Sequence, residues 1–230
     1  MGQTPPSGIV WEDEKYLSLP LKADFGEKID YLPPRYSFKA YCPRVVNQTS
    51  FATSAVCSAV WYGQTIAEAA SCLQGNENQI TTNAFSPLFS YRLSNAQSGC
   101  TAPAKLSQVF ETLENYGSPR FNDFNDLCPI NIPQETYELA RQNKIHGYAK
   151  LFNPFDTYAL KLTAIKKALH SNHPVIIGMI TPPSLALADE FWQPREQPDT
   201  TYAAQALCIV GYDDQKFGGA VEVVNQWGKD

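Results

Sequence analysis

The first chemistry this 230-residue chain offers is a hydroxyl at a helix start. From Ser54 onward, Val56, Val60, Trp61, Ile66, Ala67 and Ala70 recur at helical spacing, and Gln74-Gly75-Asn76 ends a helix expected over 54–73. A helix N-terminus presents unpaired backbone N–H groups and the positive end of the helix dipole, so it stabilises negative charge on a nearby side chain. A serine hydroxyl is too weak an acid to ionise on that account; as a nucleophile it needs a general base beside it. The chain has three histidines. His146 falls in a polar helix-to-strand stretch, and His170 and His173 flank a loop before a strand, so all three read as solvated surface residues. Cys57 lies one helical turn past Ser54, where its sulfur faces the core, and Cys208 sits mid-strand among Leu207, Ile209 and Val210 as a packing residue.

Residues 47–61, Asn-Gln-Thr-Ser-Phe-Ala-Thr-Ser-Ala-Val-Cys-Ser-Ala-Val-Trp, resemble the active-site helix of papain-like cysteine peptidases. Ser54 stands where that family has its reactive cysteine, and Gln48 matches the glutamine six residues earlier. Residues 205–214, Gln-Ala-Leu-Cys-Ile-Val-Gly-Tyr-Asp-Asp, resemble the strand that opens with the catalytic histidine, here Gln205. Val-Val-Asn-Gln-Trp-Gly matches the orienting asparagine and its covering tryptophan at Asn225 and Trp227.

The resemblance implies a degenerate site, because a papain-type thiolate needs a cysteine at the helix start paired with an imidazolium. Serine facing an amide has neither. Loss of both members leaves only the acceleration of about 10³–10⁴-fold over water that binding and an oxyanion hole supply. The resemblance also implies that the Gln48 amide and the backbone N–H at Ser54 form such a hole, able to bond a carbonyl or carboxylate. A structural amide bonded to neighbouring backbone is the equal alternative for Gln48. With no imidazole to orient, Asn225 is expected to bond Gln205, amide to amide. Trp192 and Pro194, in Glu-Phe-Trp-Gln-Pro-Arg-Glu-Gln-Pro-Asp, resemble a long cleft-side loop whose aromatics line a protein-binding face, with ordinary loop packing as the competing reading. Asn47-Gln-Thr matches a glycosylation acceptor, but beside a cleft floor it reads as coincidence.

Composition sets the wider bounds. Apolar residues at 43% and charged ones at 18% describe a globular chain, and 230 residues bury a sizeable core. A net charge of −5 with scattered Lys and Arg excludes a nucleic-acid footprint. The longest apolar run, residues 175–180, is too short to span a bilayer. Met1-Gly2 reads as an expression start joined to a mature N-terminus, so any secretion signal would already have been removed. The six cysteines, Cys42, Cys57, Cys72, Cys100, Cys128 and Cys208, lack metal-pair spacing, and no metal or cofactor is expected. Cys100 and Cys128 fall where papain-like enzymes often carry bridge cysteines, which favours an oxidising compartment. Phe51 replaces the cysteine usual three residues before the nucleophile, and the pairing stays open.

The expected architecture is therefore α+β: a papain-like two-lobed fold with a helical lobe around a central helix and an antiparallel, barrel-like β lobe. Residues 1–40 form an N-terminal arm wrapping the surface, 41–130 the helical lobe and 131–230 the β lobe. Helices are expected at 85–93, 104–116 (closed by Gly117), 134–141 and 159–170, and strands at 145–151, 174–180, 205–212 and 220–227. The family continues past its Trp-Gly with further strands, so a chain stopping at Asp230 is expected to leave a clipped sheet edge. The functional expectation is a pseudo-peptidase binding a protein or peptide between its lobes through Gln48, Ser54, Gln205, Trp227 and Trp192. It would be a scaffold in an extracellular, periplasmic or cell-surface assembly. The alternatives are a repurposed hydrolase using Ser54 and a structural block whose cleft is plugged by the arm or by bulky side chains such as Phe51.

Overall fold

The computed structural model describes residues 8–22, 31–48, 52–95, 102–127, 131–197 and 199–228; Phe51, Cys100 and Cys128 lie outside them. Its axis is the central helix, which runs as α-helix through Ser54–Val56, widens over Cys57–Gln64 and resumes as α-helix through Thr65–Ser71. Every residue from Ser54 to Tyr62 is buried, as small and apolar side chains on all faces of a helix require. In the widened stretch the Thr65 N–H reaches back five residues to the Val60 carbonyl. Gly63 sits there against the sheet: a Cβ on it would stand 3.1 Å from Ile176 Cδ1 and 3.2 Å from the Ser58 carbonyl oxygen.

Four strands make the β lobe, with β5 (Ala203–Asp213) as its spine. β4 (Val175–Thr181) pairs antiparallel along Ala203 to Ile209, and β2 (Arg35–Ser37) continues the same edge along Gly211 to Asp213. β6 (Ala220–Val224) takes the opposite edge from Cys208 onward, with a register shift between Ile209 and Gly211. The sheet is open and antiparallel among the described residues, rather than the barrel-like closure expected. Two strands differ from the sequence reading. The last ends at Val224, and Trp227 is paired separately with Asn47. Residues 145–151 form no strand: Lys144, His146 and Gly147 break the alternation, and Lys150 instead exchanges backbone bonds with the arm, donating to Pro20 and accepting from Lys22.

The helical lobe adds Pro87–Ser94, capped by the Ser86 side chain, and Leu106–Asn115, closed by Gly117 at φ +77°. Gln134–Arg141 follows, and Tyr158–His170, capped by the Thr157 side chain, packs on the sheet with Phe38, Tyr62 and Tyr212. A second core joins the start of the central helix to Val109, Leu113 and Ile9.

Ile9 belongs to the arm, which does more than wrap the surface. β1 (Ile9–Val10) pairs parallel with β3 (Ala104–Lys105), and a helix follows at Asp13–Ser18. Glu12 accepts from the Ser107 N–H at 3.2 Å and its hydroxyl at 2.7 Å, placing a carboxylate at the start of helix Leu106–Asn115. The Tyr16 hydroxyl donates to the Phe152 carbonyl at 2.7 Å, and the buried Lys150 ammonium donates to the Leu17 carbonyl at 2.7 Å. No helix among the described residues is long and apolar enough to cross a membrane.

Candidate functional site at the interlobe seam

Ser54 is the first residue of the central helix and has no solvent exposure. Its Oγ accepts the Ala206 N–H at 3.1 Å, and Ser58, one turn on, donates to the Ala206 carbonyl at 2.8 Å. Helix hydroxyls thus satisfy β5 where β6 no longer runs beside it. Two residues further out, the Ala204 carbonyl accepts the Gly8 N–H at 2.8 Å. Gln205, fully buried between them, faces the same place as Ser54. A Cβ on Gly8 would stand 2.0 Å from Ser54 Oγ, 2.6 Å from Ser54 Cβ and 2.9 Å from Gln205 Oε1. The Gly8 carbonyl accepts the Ala55 N–H at 3.4 Å, filling one of the helix's orphan donors. The seam is therefore occupied by the chain's own backbone.

No base faces Ser54 among the described residues. Gln205 is an amide, and all three histidines are exposed. His170 lies 5.8 Å from the Tyr36 ring, and Tyr36 pairs with Tyr212, about 20 Å along β5 from Gln205 at strand rise. His173 is pushed down from the ordinary imidazole range by burial and by Lys22.

Three of the described thiols are silent too. Burial pushes Cys57 up to about 12, and its Sγ lies 3.7 Å from Thr53 Oγ1 inside the core, as its place on the helix implied. Burial likewise raises Cys42 to about 12 and Cys208 well above the ordinary thiol value. Thiol pKa values raised in the folded state give stability that is complete below the unfolded value near 9 and is lost as pH rises towards 12. Equilibrium urea unfolding should accordingly show a level stability between about pH 7.5 and 8.5 and a decline above pH 9 that is shallower in Cys57→Ala; an unchanged slope would contradict the burial of that thiol.

A second constellation lies alongside. Gln48 donates its backbone N–H to the Gln226 carbonyl at 2.8 Å, and Gly228 donates to the Val46 carbonyl at 3.2 Å, around the antiparallel Asn47–Trp227 bridge. Gln48 and Gln226 are opposite partners in this ladder and share a face. Both are buried, yet both polar atoms of the Gln48 amide, Nε2 of Gln226 and Nε1 of Trp227 have no hydrogen-bond partner among the described residues. Gln226 Oε1 accepts from Ser58 at 3.4 Å, and the Tyr62 hydroxyl donates to the Asn225 backbone carbonyl at 2.7 Å, so residues 225 and 226 are tied to the central helix.

Asn225 does not make the expected bond to Gln205. Its Oδ1 accepts the Trp227 N–H at 3.2 Å, because an asparagine just past a strand end closes most readily on its own chain two residues on. Trp192, on the β4–β5 connection, donates its indole N–H to Ser184 Oγ at 3.0 Å, and Ser184 in turn bonds Glu196. Its indole bond stays within that loop.

The structure thus brings Ser54 and Gln205 together under Gly8, places Gln48 opposite Gln226 beside Trp227, and puts Trp192 in a separate loop. Sequence reasoning missed Gly8, Ser58 and Gln226. Ser58 had a signal, since a hydroxyl four residues after Ser54 shares its helix face. Among the described residues no group of three or more His, Cys, Asp or Glu side chains could hold a metal ion.

No protein-family model matches the chain, and no curated sequence matches it. Solved structures do. Xylellain, a cysteine protease from Xylella fastidiosa, aligns at TM-score 0.70 and 17% identity over 99% of this chain and 87% of its own. Digestive procathepsin L 3 from the Tenebrio molitor larval midgut aligns at 0.70 and 13% identity, over 97% of this chain and 66% of its own. The proform of the ragweed pollen cysteine protease Amb a 11 aligns at 0.59 and 19%, over 92% of this chain and 60% of its own. At these identities the likeness is one of fold, and the chain has the fold of the papain-like cysteine proteases.

Proposed function

We propose that this chain is a catalytically silent papain-like module that holds an extended protein or peptide segment between its lobes. On this reading Ser54 and Gln205 stand at the positions of the family's cysteine and histidine, and the seam has kept its grip on backbone while losing its chemistry. The observation that carries it is Gly8, bonded through its N–H to Ala204 and through its carbonyl to the Ala55 N–H, directly over Ser54. Gln48 supports it, since a buried amide with no partner among the described residues is a donor and acceptor in reserve for a bound segment. The module would serve as a binding or scaffolding part of an extracellular, periplasmic or cell-surface assembly, a setting that fits its likeness to digestive and pollen proteases.

The test is binding and turnover of a displayed random peptide library. No turnover is expected, and Gln48→Ala should weaken retained peptides several-fold, the loss of one hydrogen bond of about 0.5–1.5 kcal/mol. The melting temperature should stay level, because the Gln48 amide forms no bond among the described residues. Turnover that depends on Ser54 would promote the hydrolase reading. Affinity untouched by Gln48→Ala would favour the other reading that Gly8 supports, a structural block permanently plugged by its own arm.

A further inference from the structure

We infer that the seam is a glycine-selective seat: the position over Ser54 and Gln205 accepts only a residue without a side chain, followed by a buried aliphatic residue. The inference rests on the reading of the seam as a strand-holding site and names the chemistry of the strand it holds. Gly8 is enclosed by Ser54 and Gln205. It is glycine for space. The strand is fixed from both lobes by backbone groups, the Ala204 carbonyl on β5 and the Ala55 N–H at the helix start, and neither can retreat without moving its element.

Rotation of the Ser54 hydroxyl would relieve the 2.0 Å contact that a Cβ would make, but not the 2.6 Å contact with Ser54 Cβ. Carbon atoms settle at about 3.5–4.0 Å, so even alanine is excluded. The next residue of the strand, Ile9, is 4% exposed among Ala55, Ala59, Ala104 and Ala206. Its Cδ1 would stand 3.0 Å from a Cβ on Gly178, so β4 also gives way to make room for it. Small residues on four elements thus shape one seat and one pocket, and the ligand class is an extended segment reading glycine then aliphatic. The chain's own arm is the occupant in this structure and a competitor for any other.

The experiment uses the full chain and reads hydrogen exchange at residues 8–12. Gly8→Ala should raise exchange there by about tenfold or more, the size of effect that overpacking produces, and Ser54→Gly in the same chain should restore protection. Ser54→Thr, which enlarges the floor instead of the strand, should release the arm with Gly8 intact. The peptide Ser-Gly-Ile-Val-Trp-Glu, fluorescently labelled, is then titrated into the Gly8→Ala chain beside its glycine-to-alanine version, and the glycine peptide should bind at least about tenfold more tightly. Unchanged exchange in Gly8→Ala or Ser54→Thr, failure of Ser54→Gly to restore it, or equal binding of the two peptides overturns the seat. If neither peptide binds while the exchange results hold, the seat stands for the arm alone and the proposed binding function falls.

Discussion

Ser54→Cys combined with Gln205→His is expected to yield a thiol that iodoacetamide alkylates at pH 7 at least about tenfold faster than the thiol of Ser54→Cys alone. Two opposed effects meet at this position. The helix start and the Ala206 N–H, which already donates to the residue-54 side chain, favour a thiolate. Complete burial disfavours it, as it does at Cys57, which is pushed up to about 12. An imidazolium at position 205 tips the balance, because it supplies a full charge beside the sulfur in a dry setting. The Gly8 strand covers both variants alike, so the ratio of rates reports the pair and not access. Peptide mapping assigns the label, with Cys57 as an internal thiol that should stay unmodified. Equal rates would mean that residue 205 does not face residue 54, and would remove the basis for reading these two positions as a lost dyad.

Gly117→Ala is expected to be the most damaging of the small substitutions, at about 2–4 kcal/mol. Gly117 closes helix Leu106–Asn115 at φ +77° and donates its N–H to the Thr112 and Leu113 carbonyls. An alanine there would be strained, and its Cβ would stand 2.0 Å from the Ala140 carbonyl oxygen, a backbone atom of the neighbouring helix. The melting temperature should fall by about 5–15 °C for a chain of this length. Two controls separate the causes. Gly218 has φ +79° with nothing within 4 Å of its would-be Cβ, so Gly218→Ala carries strain alone, about 1 kcal/mol. Gly75 has neither feature, its nearest neighbour being the Ala40 carbonyl oxygen at 3.8 Å, and Gly75→Ala should be nearly silent. Equal melting temperatures for all three would contradict the packing of the two helices.

What the sequence disclosed depends on how far apart the determining residues lie. The central helix, its end near Leu73, the Gly117 stop and helix Gln134–Arg141 are written in local spacing, capping and turn residues, and the structure places them within a residue or two. Ser54 and Gln205 were legible through motif order. The widened run Cys57–Gln64 was not, since it is bound up with Gly63 meeting Ile176 across the core. Residues 145–151 looked like a strand because their apolar content suits one, but their backbone partners are Pro20 and Lys22, which no local pattern announces. Asn225 failed in the opposite way: a distant partner was expected, and a local turn won. Gly8 carried no signal, for its neighbours are a small polar residue and two β-branched ones, and its meaning lies wholly in Ser54 and Ala204.

That last contact orders events during synthesis. Gly8 leaves a ribosome well before the Ala204 carbonyl that receives it. At about 5–20 residues per second, the intervening chain takes roughly 10–40 s to appear. Throughout that interval Ile9 has no complete pocket, because Ala206, which lines it, is still unmade. A nascent chain therefore carries Ile9 unpacked until β5 emerges, and the helical half must wait for the strand that locks it to the arm. A chain released before β5 would display that segment to whatever chaperone or protease is near.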